Sequence, residues 1–262
     1  MLRRLFLVLM MIVLAGCGSD GSSGDVSGDL QTTSTGSTSG TPKREIAVLL
    51  FTRTTGFRHA SIPAAVGAIE ARAAAAGGVT VESTEDPGAF NDLNLSRFDA
   101  VVFLLTTGDV LDATQEGAFE RYVRSGGGYA GVHSATDTEY DWPFYGALVG
   151  AYFEDHPMIQ PATVVVDDRA DPSTRMLPAR WVRTDEWYNF RAQPADVEVL
   201  ARVDETTYNG GSMGSTHPVV WRRVDERTRS WYTAMGHGDD SWTDSLFVDH
   251  VMGGIGWAAG LS

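Results

Sequence analysis

Cysteine is almost absent from this 262-residue chain: Cys17 is the only one, and residues 43–262 have none. That excludes disulfides, thiolate metal sites and a cysteine nucleophile from the folded part. No apolar run is long enough to span a bilayer comfortably. The ten residues from Leu5 to Leu14 fall short of the roughly 20 that a membrane helix needs. A basic stripe is missing too. The formal charge is −14; losing Arg3 and Arg4 makes it −16, and losing Asp20, Asp25 and Asp29 as well leaves −13 for residues 43–262. Such a surface repels phosphate backbones, so nucleic acid is excluded as a partner. The chain has six histidines but no closely spaced ligand pair of the H-x-H or H-E-x-x-H kind. Internal repeats are also lacking.

What is present divides into three parts. Met1-Leu2-Arg3-Arg4 is a short basic start, followed by the apolar run and then Leu14-Ala15-Gly16-Cys17. This order reads as a lipoprotein signal peptide over 1–16, with Cys17 acylated as the new N-terminus. Residues 17–42 are mostly Gly, Ser, Thr and Asp, too polar to fold, and form a flexible tether. The expected location is extracytoplasmic, held on a bacterial membrane through the lipid anchor. Residues 43–262 suit one large domain. Seven tryptophans (Trp142, Trp181, Trp187, Trp221, Trp231, Trp242 and Trp257) all fall inside it and can supply a core.

The domain alternates strands and helices in its first half. Glu45 to Phe51 and Asp99 to Leu105 are apolar runs of the kind that parallel strands buried on both faces show. Ile62 to Ala76 is Ala-rich, opens with Pro63 and stops at Gly77-Gly78, a helix with both signals. Val79 to Ser83 and Tyr129 to Val132 are further strands, with a helix from Thr114 to Arg124 between them. This pattern predicts an α/β fold: a doubly wound, mainly parallel sheet flanked by helices. After about residue 160, short strands at 163–166, 180–183, 197–203, 219–223 and 231–234 read as antiparallel additions, before a helix over 244–259.

One segment carries chemistry. Gly126-Gly127-Gly128-Tyr129-Ala130-Gly131-Val132-His133-Ser134 is a helix end, a strand, and a sharp turn that presents His133. This is the form of a nucleophile elbow, at the strand ends where open α/β sheets bind ligands. Trp231 to Asp240 repeats the geometry, with His237 after the strand and Asp239 two residues on. Both pieces resemble the class I glutamine amidotransferase fold, which is flavodoxin-related. The resemblance puts His133 where that family has its Cys, His237 where it has its base, and Asp239 where it has its orienting Glu. Imidazole is a poor durable acyl carrier, so glutaminase activity is not expected. A wider resemblance takes in nearly all of 44–262. G-F-R-H-A-S-I (56–62), G-G-G-Y-A-G-V-H-S-A-T-D (126–137), F-E-D-H-P (153–157), D-E-W-Y-N-F (185–190), H-P-V-V-W (217–221), W-Y-T-A-M-G-H-G (231–238) and G-G-I-G-W-A (253–258) occur in order. Together they are similar to the ThuA-like, trehalose-utilisation family. That resemblance implies a role in bacterial sugar metabolism, linked to disaccharides and their 3-keto derivatives.

The candidate site follows from these pieces. His133, His237 and Asp239 are the candidate proton-transfer residues. His59, in the loop after the first strand, and Asp137, four residues past the elbow, are expected at the same sheet edge. His156 is a further candidate. Glu186, Trp187 and Tyr188 combine a carboxylate with two rings, which suits stacking and hydrogen bonding to a sugar. His217 reads as structural and His250 as a surface residue. Clustered imidazoles should disfavour each other's protonation, while Asp239 should raise that of His237. The sequence leaves three functions open: a carbohydrate isomerase, lyase or hydrolase using His acid/base chemistry, a non-catalytic carbohydrate-binding lipoprotein, or a metal-dependent hydrolase. No cofactor is required by the sequence, while a divalent metal bound by His residues stays open. The expected partners are a small-molecule sugar and the membrane, and a homo-oligomer is compatible with the sequence.

Overall fold

The computed structural model describes residues 45–225 and 228–261. The expected signal peptide, Cys17 and the tether lie outside the described residues. The described residues all fall in one compact unit. Among the described residues, no helix is long and apolar enough to cross a membrane.

The first half delivers the alternation that its apolar runs predict. β1 (Ile46–Phe51), α1 (Ile62–Ala76), β2 (Val79–Thr84), α2 (Asp92–Leu95), β3 (Ala100–Leu104), α3 (Ala113–Arg124) and β4 (Gly128–Val132) follow in order. β3 and β4 are buried at every position, as strands covered by helices on both faces must be. Pro63 sits in the first turn of α1, where a missing N–H costs nothing. Asp112 caps α3 in a reciprocal capping box with Gln115. The triple glycine after α3 has a steric cause. Gly126 is left-handed at φ 105°, and a side chain at Gly127 or Gly128 would run into the Tyr122 ring or the Ala258 carbonyl.

The second half adds α4 (Pro143–Val149), β5 (Phe153–Asp155), β6 (Gln160–Val166), β7 (Arg180–Asp185), β8 (Asn189–Phe190), β9 (Glu198–Asp204), β10 (Pro218–Asp225), β11 (Thr228–Thr233), α5 (Asp239–Thr243) and α6 (Ser245–Ala258). Nine strands form one sheet in the order β2-β1-β3-β4-β11-β10-β9-β6-β7, while β5 and β8 pair separately. β2, β1, β3, β4 and β11 are parallel, and β10, β9, β6 and β7 continue in antiparallel register. Most of the second half is antiparallel as expected. β11 differs: it lies beside β4 and runs parallel to it, in register from Arg229↔Gly128 to Thr233↔Val132. β11 pairs antiparallel with β10 and therefore runs in the direction of β4, so it completes the parallel set.

This topology fixes where a site can form. β1, β3, β4 and β11 all end at one sheet edge. β7 is separated from β11 by three alternating strands, so it runs the same way and ends at that edge too. The core beneath it is aromatic-rich: Phe51, Phe90, Phe103, Phe119, Tyr129 and Tyr145 pack edge-on or tilted with ring centroids 4.5–6.3 Å apart in successive pairs.

Candidate functional site

His133 is the elbow residue. It follows β4 directly, is fully buried, and has φ 52°, a left-handed conformation that is strained for a side chain with a Cβ. Its Nδ1 lies 2.7 Å from the Ala234 carbonyl. A carbonyl only accepts, so Nδ1 carries the proton and donates. With Nδ1 held there, Nε2 points outward from the sheet edge.

Two groups meet that nitrogen. His237 Nδ1 is 3.3 Å away and Glu186 Oε2 is 3.3 Å away. His237 Nδ1 and Glu186 Oε2 are themselves 3.1 Å apart. His59 closes the group: its ring centroid is 4.9 Å from that of His133 and 5.0 Å from that of His237. Its Nδ1 lies 3.4 Å from the Ser134 hydroxyl. One ligand atom from each of His59, His133, Glu186 and His237 falls within 4.8 Å of all the others. Each comes from a different strand end: the loop after β1, the elbow after β4, the residue after β7 and the turn after β11. The histidines therefore need no short-range sequence spacing to converge, which is why neither H-x-H nor H-E-x-x-H is present.

The electrostatics follow from the packing. Burial, reinforced by the neighbouring His133 and His237, pushes the His59 pKa down to about 3, so it is neutral at pH 7. The hydrogen bond to Glu186 raises that of His237. Burial alone would raise Glu186, but hydrogen bonds and charge from His133 and His237 outweigh it and hold the carboxyl well below the usual range. His59 is thus held neutral while His237 takes a proton more readily, and the carboxylate that raises His237 is Glu186, not Asp239. Asp239 is exposed. Gly238 turns the chain and Asp239 then opens α5, so the carboxylate beside the His237 ring is that of Glu186. The expectation that Asp239 orients His237 is corrected accordingly.

The cluster forms the floor of a cavity of about 340 Å³ lined by Phe57, His59, Asp137, Phe153, His156, Glu186, Tyr188 and His237. Tyr188 packs over His133 with centroids 4.3 Å apart. Asp137 receives the Tyr140 hydroxyl at 2.6 Å, and burial raises its pKa despite that bond. His156 Nδ1 lies 2.9 Å from the Pro157 carbonyl and 3.2 Å from Glu186 Oε1, so it also donates. Trp187 is not part of the wall. It is 1% exposed and its indole donates to the Gln160 carbonyl, because consecutive residues after β7 point to opposite faces and Glu186 takes the cavity side. His217 is structural as expected, with Nε2 donating to the Tyr188 carbonyl at 2.8 Å. His250 is fully buried, not a surface residue. It shares one face of α6 with Phe247, Val251 and Gly254, a spacing of three and four that marks the core side. Phe57 and Phe153 escape sequence reasoning: Phe57 lies in a loop and Phe153 opens a strand of three residues, and neither segment gives a periodic signal.

The chain's relatives agree with the fold. The sequence profile of the ThuA family, described as trehalose utilisation, matches residues 47–258. A ThuA-like protein from Bacteroides uniformis has a similar solved structure: TM-score 0.70, 23% identity, covering 85% of this chain and 95% of that one. Another, from Parabacteroides merdae, has a TM-score of 0.68 at 20% identity, covering 83% and 91%. A protein from Thermoplasma acidophilum, described as belonging to GMP synthase, matches with a TM-score of 0.50 and 12% identity over 83% of this chain and 96% of that one, which reflects the amidotransferase-like fold alone. No curated protein matches the chain.

Proposed function

Because this chain belongs to the ThuA trehalose-utilisation family and so serves carbohydrate utilisation, we propose that it is a metal-dependent enzyme that moves a proton next to the carbonyl of an oxidised sugar. The spacing of the four ligand atoms carries this reading. Ligands about 2.0–2.2 Å from one ion stand about 3.3–3.6 Å apart around a tetrahedron and about 2.8–3.1 Å apart at neighbouring corners of an octahedron. The separations of 3.3, 3.3 and 3.1 Å among His133, His237 and Glu186 fall in that span. As metal ligands, three imidazoles and one carboxylate bring a single negative charge, which suits a divalent transition metal or zinc better than calcium or magnesium.

A bound metal would polarise a sugar carbonyl or hydroxyl as a Lewis acid. The protein's own groups do the rest. Asp137 and His156 flank the cavity and are placed to take and return the proton. The raised pKa of Asp137 brings its proton affinity closer to that of a useful base. Phe57, Phe153 and Tyr188 supply the apolar part of the cavity wall, which suits the C–H faces of a sugar ring. The basic, apolar leader and Cys17 support a working location outside the cytoplasm, on a lipid anchor.

The test is a comparison of metal-free and metal-loaded protein, wild type and His133→Asn, with disaccharides and keto-sugars in deuterated water. Deuterium entering a carbon beside the carbonyl, only with metal-loaded wild type, is the expected result. Turnover that survives complete metal removal would contradict the reading.

A further inference from the structure

Two ligand-bearing residues reach the cluster from strands that pairing alone keeps apart. Glu186 follows β7 and His237 follows β11, four places away in the sheet. At about 4.8 Å per strand, a flat sheet would hold them roughly 19 Å apart. One carboxylate spans the closure. Asp185, 3% exposed, accepts with Oδ1 from the backbone N–H of Glu186 at 3.0 Å and of His237 at 3.1 Å. Its Oδ2 accepts from the Gly236 N–H at 3.0 Å and from Arg183 Nη2 at 2.9 Å. Arg183 lies between the rings of Trp181 and Phe247, at 4.5 and 4.4 Å from their centroids. Its Nε and Nη1 are buried without a partner, while Nη2 is directed to Asp185 and the Ser241 hydroxyl.

We propose that Asp185 is the positioning residue of the metal centre: it grips the backbone of Glu186 and His237 together and thereby sets the separation of their ligand atoms. The proposal rests on the metal reading above. An ionised carboxylate suits this place because every group around it is a donor. Asparagine would present an N–H₂ to two of them. Arg183, on the same face of β7 two residues earlier, fixes the plane of the carboxylate through its Nη2. Groups behind metal ligands act in this way on a ligand's orientation; here the action is on the main chain.

The experiment uses the full chain and Co(II) alone as probe. Asp185→Asn is compared with wild type and with Asp171→Asn, which alters another buried carboxylate, paired with Arg222 and outside the site. The double variant R183M/D185N removes the orphaned charge that D185N leaves behind. Wild type should bind one equivalent. D185N should bind roughly 10–100-fold more weakly, with an altered Co(II) visible spectrum. D171N should keep wild-type affinity and spectrum. R183M/D185N should recover thermal stability without recovering affinity. In metal-free crystals the 3.1 Å separation of Glu186 Oε2 and His237 Nδ1 should open in D185N and not in D171N. Unchanged affinity and separation in D185N would overturn the proposal. So would an equal loss of affinity in D171N, or full recovery in the double variant. If wild type binds no metal, the reading of the site fails, and the separation in D185N crystals alone decides whether Asp185 positions the two residues.

Discussion

Replacing His133 with asparagine tests the cluster at its centre. Asparagine tolerates the left-handed φ of 52°, and its amide N–H can take over the bond to the Ala234 carbonyl. The fold should therefore survive, with one metal ligand gone. Four-ligand zinc sites bind with about 10–16 kcal/mol, or roughly 3 kcal/mol per ligand, so the affinity should drop about 100-fold. At free zinc about 100 times the wild-type Kd, the metal stabilises the wild-type fold by about 2.7 kcal/mol. For a domain of this size that raises Tm by about 5–11 °C. At the same free zinc, the variant sits near its own Kd and gains only about 0.4 kcal/mol, or about 1–2 °C. Thermal melts in a zinc buffer read both numbers. Asp239→Ala should keep the full wild-type shift, because Asp239 is exposed and outside the cluster. An equal zinc shift in wild type and His133→Asn would refute the reasoning.

Three other outcomes follow. His250 is fully buried, and burial lowers its pKa from 6.5 to about 4. Its neutral form is the folded one, so this stability is complete above pH 6.5 and is lost as pH falls toward 4. Between pH 7 and pH 5 the loss is about 2 kcal/mol. Urea unfolding at the two pH values should show it in wild type, with a correspondingly smaller pH difference in His250→Asn. Purified protein should release no ammonia from glutamine, since the elbow carries His133 and the domain has no cysteine; ammonia release lost in His133→Asn would reverse that conclusion. Finally, Cys17→Ser should move the protein from the membrane to the soluble fraction or leave it unprocessed. Identical fractionation would show that Cys17 carries no lipid.

Much of the fold is legible in the sequence because burial on both faces leaves a plain trace. β1 and β3 are continuous apolar runs, and α1 carries Pro63 at its start and Gly77 at its end. The direction of β11 is not legible: a strand's apolar pattern records its burial, not which neighbour it pairs with. His59, His133 and His237 are legible as one site because each follows a strand ending at one sheet edge. Glu186 is legible as a pocket residue but not as their carboxylate partner. Chain proximity points to Asp239 for that place, and the single glycine between it and His237 turns the chain into α5 instead. His250 does leave a signal, the spacing 247, 250, 251, 254, which its polar neighbour Asp249 obscures. Asp185 leaves none. Its partners are backbone N–H groups of residues 186, 236 and 237, and backbone donors are invisible in side-chain patterns.

The most direct measurement is anomalous X-ray diffraction at the zinc edge from crystals of the protein loaded with one equivalent of zinc. The account predicts one strong peak among His133 Nε2, His237 Nδ1, Glu186 Oε2 and a His59 ring nitrogen, with bonds of about 2.0–2.2 Å. A peak elsewhere on the molecule, or four side chains still in mutual contact with no zinc between them, would contradict it.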